Sequence, residues 1–126
     1  MTSEPFARIV ELADDAFEAI LAINHATMVM DAGIPAPVMC QVLGDLKVAT
    51  GSGLAQALSQ LARGLESTLA NYVVYQDDGT DPVQAVAQAV DALVGAASDA
   101  QRIGRKLNEA QSAIAGQGYR GGAIRS

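Results

Sequence analysis

A chain of 126 residues, half of them hydrophobic and 17% charged with a formal net charge of −6, is long enough to bury a core and too apolar to be a disordered tail. Twelve Gly without a Gly-X-Y period exclude collagen, and no apolar run approaches the roughly 20 residues of a membrane-spanning helix. The acidic start lacks the basic end and apolar block of a secretion signal, and the lone Cys40 has no internal disulfide partner, so the expectation is a cytoplasmic, acidic, alanine-rich protein without membrane association.

Tryptophan is absent and β-branched and aromatic clusters are sparse, which points to an all-α fold. The first helix is expected from Ser3, a capping residue followed by Glu4 and Pro5, to about Asp31. Phe6, Val10, Ala13, Phe17, Ile20, position 24 and Met28 follow the three-four alternation of one buried face, widened by Ile9 and Leu21. Gly33-Ile34-Pro35-Ala36-Pro37 forms a corner, because the prolines lack amide donors and disfavour a helical predecessor.

A second apolar stripe runs from Val38 to Tyr72 and meets Thr50-Gly51-Ser52-Gly53 on the way. Each glycine costs about 1 kcal/mol relative to alanine inside a helix, which argues for a break. The stripe nevertheless keeps its phase across the gap. The spacing therefore predicts one helix from 37 to about 75, bent or locally loosened at 50–53, with two separate helices as the alternative. Gln76-Asp77-Asp78-Gly79-Thr80 reads as a turn. Asp81-Pro82 then reads as a cap followed by the first helical position of a last helix, which runs to about Gly116.

In that helix the apolar positions 83, 86, 90, 93, 97, 100, 103, 107, 110 and 114 repeat nearer 3.5 than 3.6 residues. Such a seam stays buried only by coiling round another helix. The expected architecture is an elongated antiparallel helical bundle of three long helices, four if the chain breaks at 50–53. A single domain over 1–117 would be followed by a flexible basic C-terminal tail, 118–126.

Catalytic chemistry has little to work with, for the chain holds one His and one Cys. His25 shares a helix flank with Asp14 and Glu18, but ligands from one helix seldom close a coordination shell, and no zinc spacing or facing Glu-x-x-His pair is present. Cys40 near a helix start reads either as a reactive thiol or as a small semi-buried side chain. The glycines at 51 and 53 match neither phosphate-binding fingerprint. No enzyme activity, metal or cofactor is expected.

Asn24 stands in the centre of the first apolar stripe, where a polar residue either fixes register and oligomer state or bonds within one subunit. Ala96, Ala97 and Ala100 form a small-residue strip where backbones can approach closely. These four are the candidate register or interface residues. Charge divides sharply: residues 1–101 carry net −10, whereas 102–126 carry net +4 through Arg102, Arg105, Lys106, Arg120 and Arg125 against Glu109. Those five cations are candidate phosphate contacts; alternatively they offset a helix dipole and solvate a tail, or meet the acidic body of a second copy.

A faint helix-turn-helix pattern over 37–63 has few basic residues to support it. The tryptophan-glycine turn of small secreted helical hairpins is missing. The sequence thus predicts a non-enzymatic helical protein-protein interaction or adaptor module, a coiled-coil homodimer with a further protein partner. A nucleic-acid-associated accessory protein using the basic C-terminal end is the alternative.

Overall fold

A computed structural model describes residues 4–121, and these are all-α, with no strand among them. The helices are α1 (Glu4–Met28), α2 (Ala36–Lys47), α3 (Leu54–Asn71) and α4 (Pro82–Ala113), with a π-helical segment, Val48–Gly53, joining α2 to α3. The described residues fall into two units, one of 4–34 with 120–121, the other Pro35–Tyr119. Among them no helix is long and apolar enough to cross a membrane.

In the first unit, α1 is 25 residues long, about 37 Å at the helical rise. It ends three residues before Asp31. Thr27 Oγ1 donates to the carbonyls of Ile23 at 2.9 Å and Asn24 at 3.2 Å, a local bond that competes with continuation of the helix. Gly33, at φ +88°, follows in a tight turn, its amide donating to Met30 O at 2.9 Å. The expected Ser3 cap lies outside the described residues.

The second unit is a hairpin. Pro35, extended at φ −61° and ψ 152°, is the N-cap of α2, and its carbonyl accepts from Val38 and Met39. From there the helical path runs to Asn71 without a loop, as expected, loosened into π geometry at 48–53. The expected stripe is not its buried face, for Val38, Val42, Leu54, Leu61 and Tyr72 are exposed while Gly51, Ala55 and Ala62 are buried. The path stops short of residue 75. Val73-Val74-Tyr75 is a β-branched and aromatic run with poor helix propensity, and Tyr72 is already extended at φ −137°.

The turn closes on Gly79, at φ +79°, whose amide donates to Gln76 O. Asp78 Oδ1 accepts from the hydroxyl and the amide of Thr80 at 2.7 and 3.0 Å. These bonds, the hydroxyl's foremost, hold the carboxyl below its ordinary pKa. A carboxyl lowered on folding contributes order that is present at neutral pH and lost as pH falls through its lowered value. The Thr80 amide resonance is therefore expected to titrate at a lower pH than an ordinary aspartate would impose and to stop doing so in Asp78→Ala. Asp81 caps α4 as its sequence predicts, with Oδ1 accepting from Val83 N at 2.9 Å and Pro82 opening the helix.

α4 returns antiparallel along α2 and α3, since Cys40 meets Gln111, Gly51 meets Gly104, and Ala55 clusters with Ala97 and Ala100. The seam is built from small residues. Ala36, Ala55, Ala62, Val86, Ala97 and Ala100 are the buried hydrophobic residues among those described, and Leu58 packs against the Ala55–Ala97–Ala100 cluster. Alanines let the two backbones approach, at the expense of the area that larger side chains would remove from water.

The apolar repeat of α4 needs one correction. Val83, Ile103 and Ala110 were expected in its seam, yet all three are exposed, while Gly104 and Gln111 face the opposite helix. From Leu93 the true seam is 93, 97, 100, 104, 107, 111 and 114, a regular heptad alternation. Two of its members are not apolar.

Candidate interaction surfaces

None of α1's residues is buried. Val10 is 66% and Phe17 61% exposed, with Phe6, Ile9, Ile20 and Met28 exposed beside them. Asn24 is exposed in the same line. At about 100° per residue these apolar side chains, with Leu12, Leu21 and Ile23, cover about half the helix circumference. The acids Glu11, Asp14, Asp15 and Glu18 occupy the other side, where Arg8 pairs with Glu11 at 3.4 Å. His25 lies on that acidic flank. Among the described residues no group of three or more His, Cys, Asp or Glu could hold a metal ion.

On the hairpin, Ala97 and Ala100 lie inside the helix-helix seam and Ala96 is half-buried at its edge. One flank of this seam is apolar. Leu54 and Leu61 of α3 are exposed on the side that α4 lines with Ala85, Ala92, Ala96 and Ile103, because in antiparallel helices the matching flanks of the two wheels fall on one face. Leu61 remains 48% exposed there.

The opposite edge is polar. Lys47 Nζ donates to Asn108 Oδ1 at 2.7 Å and to Gln111 Oε1 at 2.6 Å, and Gln111 Nε2 donates back across the seam to Cys40 O at 2.8 Å. The Cys40 thiol, half-buried, faces Gln111 O at 3.8 Å. Gly44 makes room for this clasp, for a Cβ on it would lie 3.0 Å from Gln111 Nε2. Beside the clasp, Lys47, Ser52, Gln101, Arg105, Asn108 and Glu109 border an open groove.

Of the proposed phosphate contacts, Arg102 is exposed and bonded to Asp99 at 2.8 Å. Arg105 and Lys106 are exposed on α4, and Arg120 is exposed outside the hairpin unit. Arg125 lies outside the described residues. The structure thus places Arg102, Arg105 and Lys106 within about one helical turn of each other.

The clasp and the Gly51–Gly104 crossing were not anticipated. The inward positions Lys47, Gly51 and Ala55, spaced four and four where a regular helix would alternate three and four, are charged, bare and small, and left no apolar signal in the sequence. No protein-family model, no curated protein and no solved structure matches the chain.

Proposed function

We propose that this protein is a non-enzymatic helical interaction module that self-associates as a homodimer and offers its remaining apolar helix face to a protein partner. One observation carries the reading. In a chain that is half hydrophobic, the buried hydrophobic residues among those described are five alanines and one valine, while Phe6, Phe17, Ile20, Leu61 and Ile103 face outward. Exposed apolar area of that extent marks an interaction surface. At about 25 cal/mol per Å², covering the two phenylalanines and their neighbours is a driving force of several kcal/mol.

Light scattering at micromolar concentration is expected to give twice the chain mass, and Phe17→Glu is expected to reduce association at least about tenfold, since it places a charge in an apolar contact. A strict monomer overturns the proposal. Of the candidate phosphate contacts on α4, Arg102 is paired with Asp99, and Arg105 and Lys106, which have no partner carboxylate among the described residues, are what supports the nucleic-acid alternative. Salt-steep binding lost on removing residues 117–126 would favour it instead.

A further inference from the structure

We infer that the self-association runs through α1 and is parallel and in register, a second copy's α1 lying against the first with Asn24 facing Asn24. The inference rests on the self-association proposed above and adds which helix pairs and in which direction. Phe6, Val10, Ala13, Phe17, Ile20, Asn24 and Thr27 are spaced alternately four and three residues, within a helix that is unbroken from Glu4 to Met28. That alternation is the core repeat of a two-stranded coil, and it places Asn24 at a core position.

An amide in that seam decides the direction. In a parallel, unshifted pair the Asn24 Nδ2 of each helix can donate to the Oδ1 of its partner. An antiparallel pair overlapping along all of α1 sets Asn24 against the Phe6–Val10 end, leaving two amides in hydrocarbon at about 1–3 kcal/mol each. Sliding the antiparallel helices until the amides meet leaves only about nine residues of overlap. Thr27 raises no such problem, because its hydroxyl is already bonded to the carbonyls of Ile23 and Asn24.

Charge and area are compatible with this arrangement. Glu11, Asp15 and Glu18 fall outside the core and its flanks; the flanks carry Ile9, Ala16, Leu21 and Ile23 with one acid, Asp14, which a parallel pair sets beside Ile9 of the second copy and not against its own copy. A seam about 37 Å long and 10 Å across covers roughly 400 Å² in projection and about twice that as side-chain surface, on the order of the 800 Å² per partner of a standard interface.

The test is disulfide trapping in the full chain with Cys40→Ser, which removes the one native thiol. Ile20→Cys and, separately, Ala13→Cys are equilibrated with oxidised glutathione, with Arg8→Cys as the outward-facing control and light scattering of each reduced sample. A parallel pair brings each core cysteine to its own copy within disulfide reach, so both core variants are expected to yield covalent dimers and the control little. A dimer in light scattering that traps at neither core position overturns this inference and leaves self-association standing. A monomer overturns both. Adding Asn24→Leu to Ile20→Cys is expected to tighten association while lowering the trapped fraction about twofold or more, because the register constraint is gone. An unchanged trapped fraction removes Asn24 from the argument.

Discussion

Gly51→Ala is expected to destabilise the hairpin by about 1–3 kcal/mol, although the same substitution in an open helix stabilises it. A Cβ on Gly51 would lie 2.7 Å from Gly104 Cα and 3.3 Å from its nitrogen. Both are backbone atoms, which cannot swing aside as a side chain could. The helices would have to separate, and Ala55, Ala97 and Ala100, the last only 2% exposed, would lose contact with them. Gly104→Ala should act in the same direction, its Cβ meeting Gly51 Cα at 3.0 Å and Lys47 O at 3.2 Å.

Gly64 and Gly95 are the controls, helical glycines with nothing within 4 Å of an added Cβ. Replacing either by alanine removes backbone entropy from the unfolded chain and should stabilise by about 1 kcal/mol. Urea denaturation of the four variants is expected to move the midpoint down for positions 51 and 104 and up for 64 and 95. A common direction for all four would mean that the crossing is not a close contact. Because 51 and 104 touch, the double variant should depart from the sum of the singles.

Deleting Ala49 is expected to leave the hairpin folded within about 1 kcal/mol of the parent, whereas deleting Ser98 should abolish its cooperative unfolding transition. Both residues are exposed, so lost contacts do not explain the contrast. The difference is phase. Lys47, Gly51 and Ala55 all face α4, yet two steps of four residues rotate a regular helix about 80° too far. The π segment at Val48–Gly53 absorbs the surplus, and removing one residue there restores steps of three and four. Gly53 is suited to that geometry, for a Cβ on it would approach Val48 O at 2.9 Å.

α4 holds no such surplus. Losing Ser98 turns everything beyond it by about 100°, carrying Ala100, Gly104 and Gln111 out of the seam and breaking the Lys47 and Cys40 bonds to Gln111. Thermal melts followed by circular dichroism distinguish the two deletions. If deleting Ala49 proved as damaging as deleting Ser98, the π segment would be structurally required rather than an accommodation of one extra residue.

Both results bear on function, because the hairpin is the scaffold that presents Leu54, Leu61 and Ile103 on one side. A two-helix unit held by alanine contacts and one polar clasp has little large apolar surface inside it. Its outward leucines and the exposed residues of α1 are the surfaces on which the proposed association rests.

Much of this architecture is written locally in the chain. The three-four spacing of Phe6 to Met28, the Pro35-Ala36-Pro37 corner, the Asp78-Gly79 turn and the Asp81-Pro82 start are each determined by a few neighbouring residues through propensity, capping and missing donors. The continuity of the 36–71 helical path is legible in its apolar stripe, although the stripe's Leu54 and Leu61 are exposed and the positions that do face α4, Lys47, Gly51 and Ala55, do not keep a regular phase.

The pairing of helices was decided elsewhere. Ile103 and Ala110 carry the hydrophobic signal but stand outside the seam, while Gly104 and Gln111 stand inside it. Gly104 belongs there for the volume it lacks and Gln111 for bonds to Lys47 and Cys40 more than sixty residues away. An absent side chain and a distant partner leave no mark on local hydrophobicity, and only bringing the two backbones together makes either one matter.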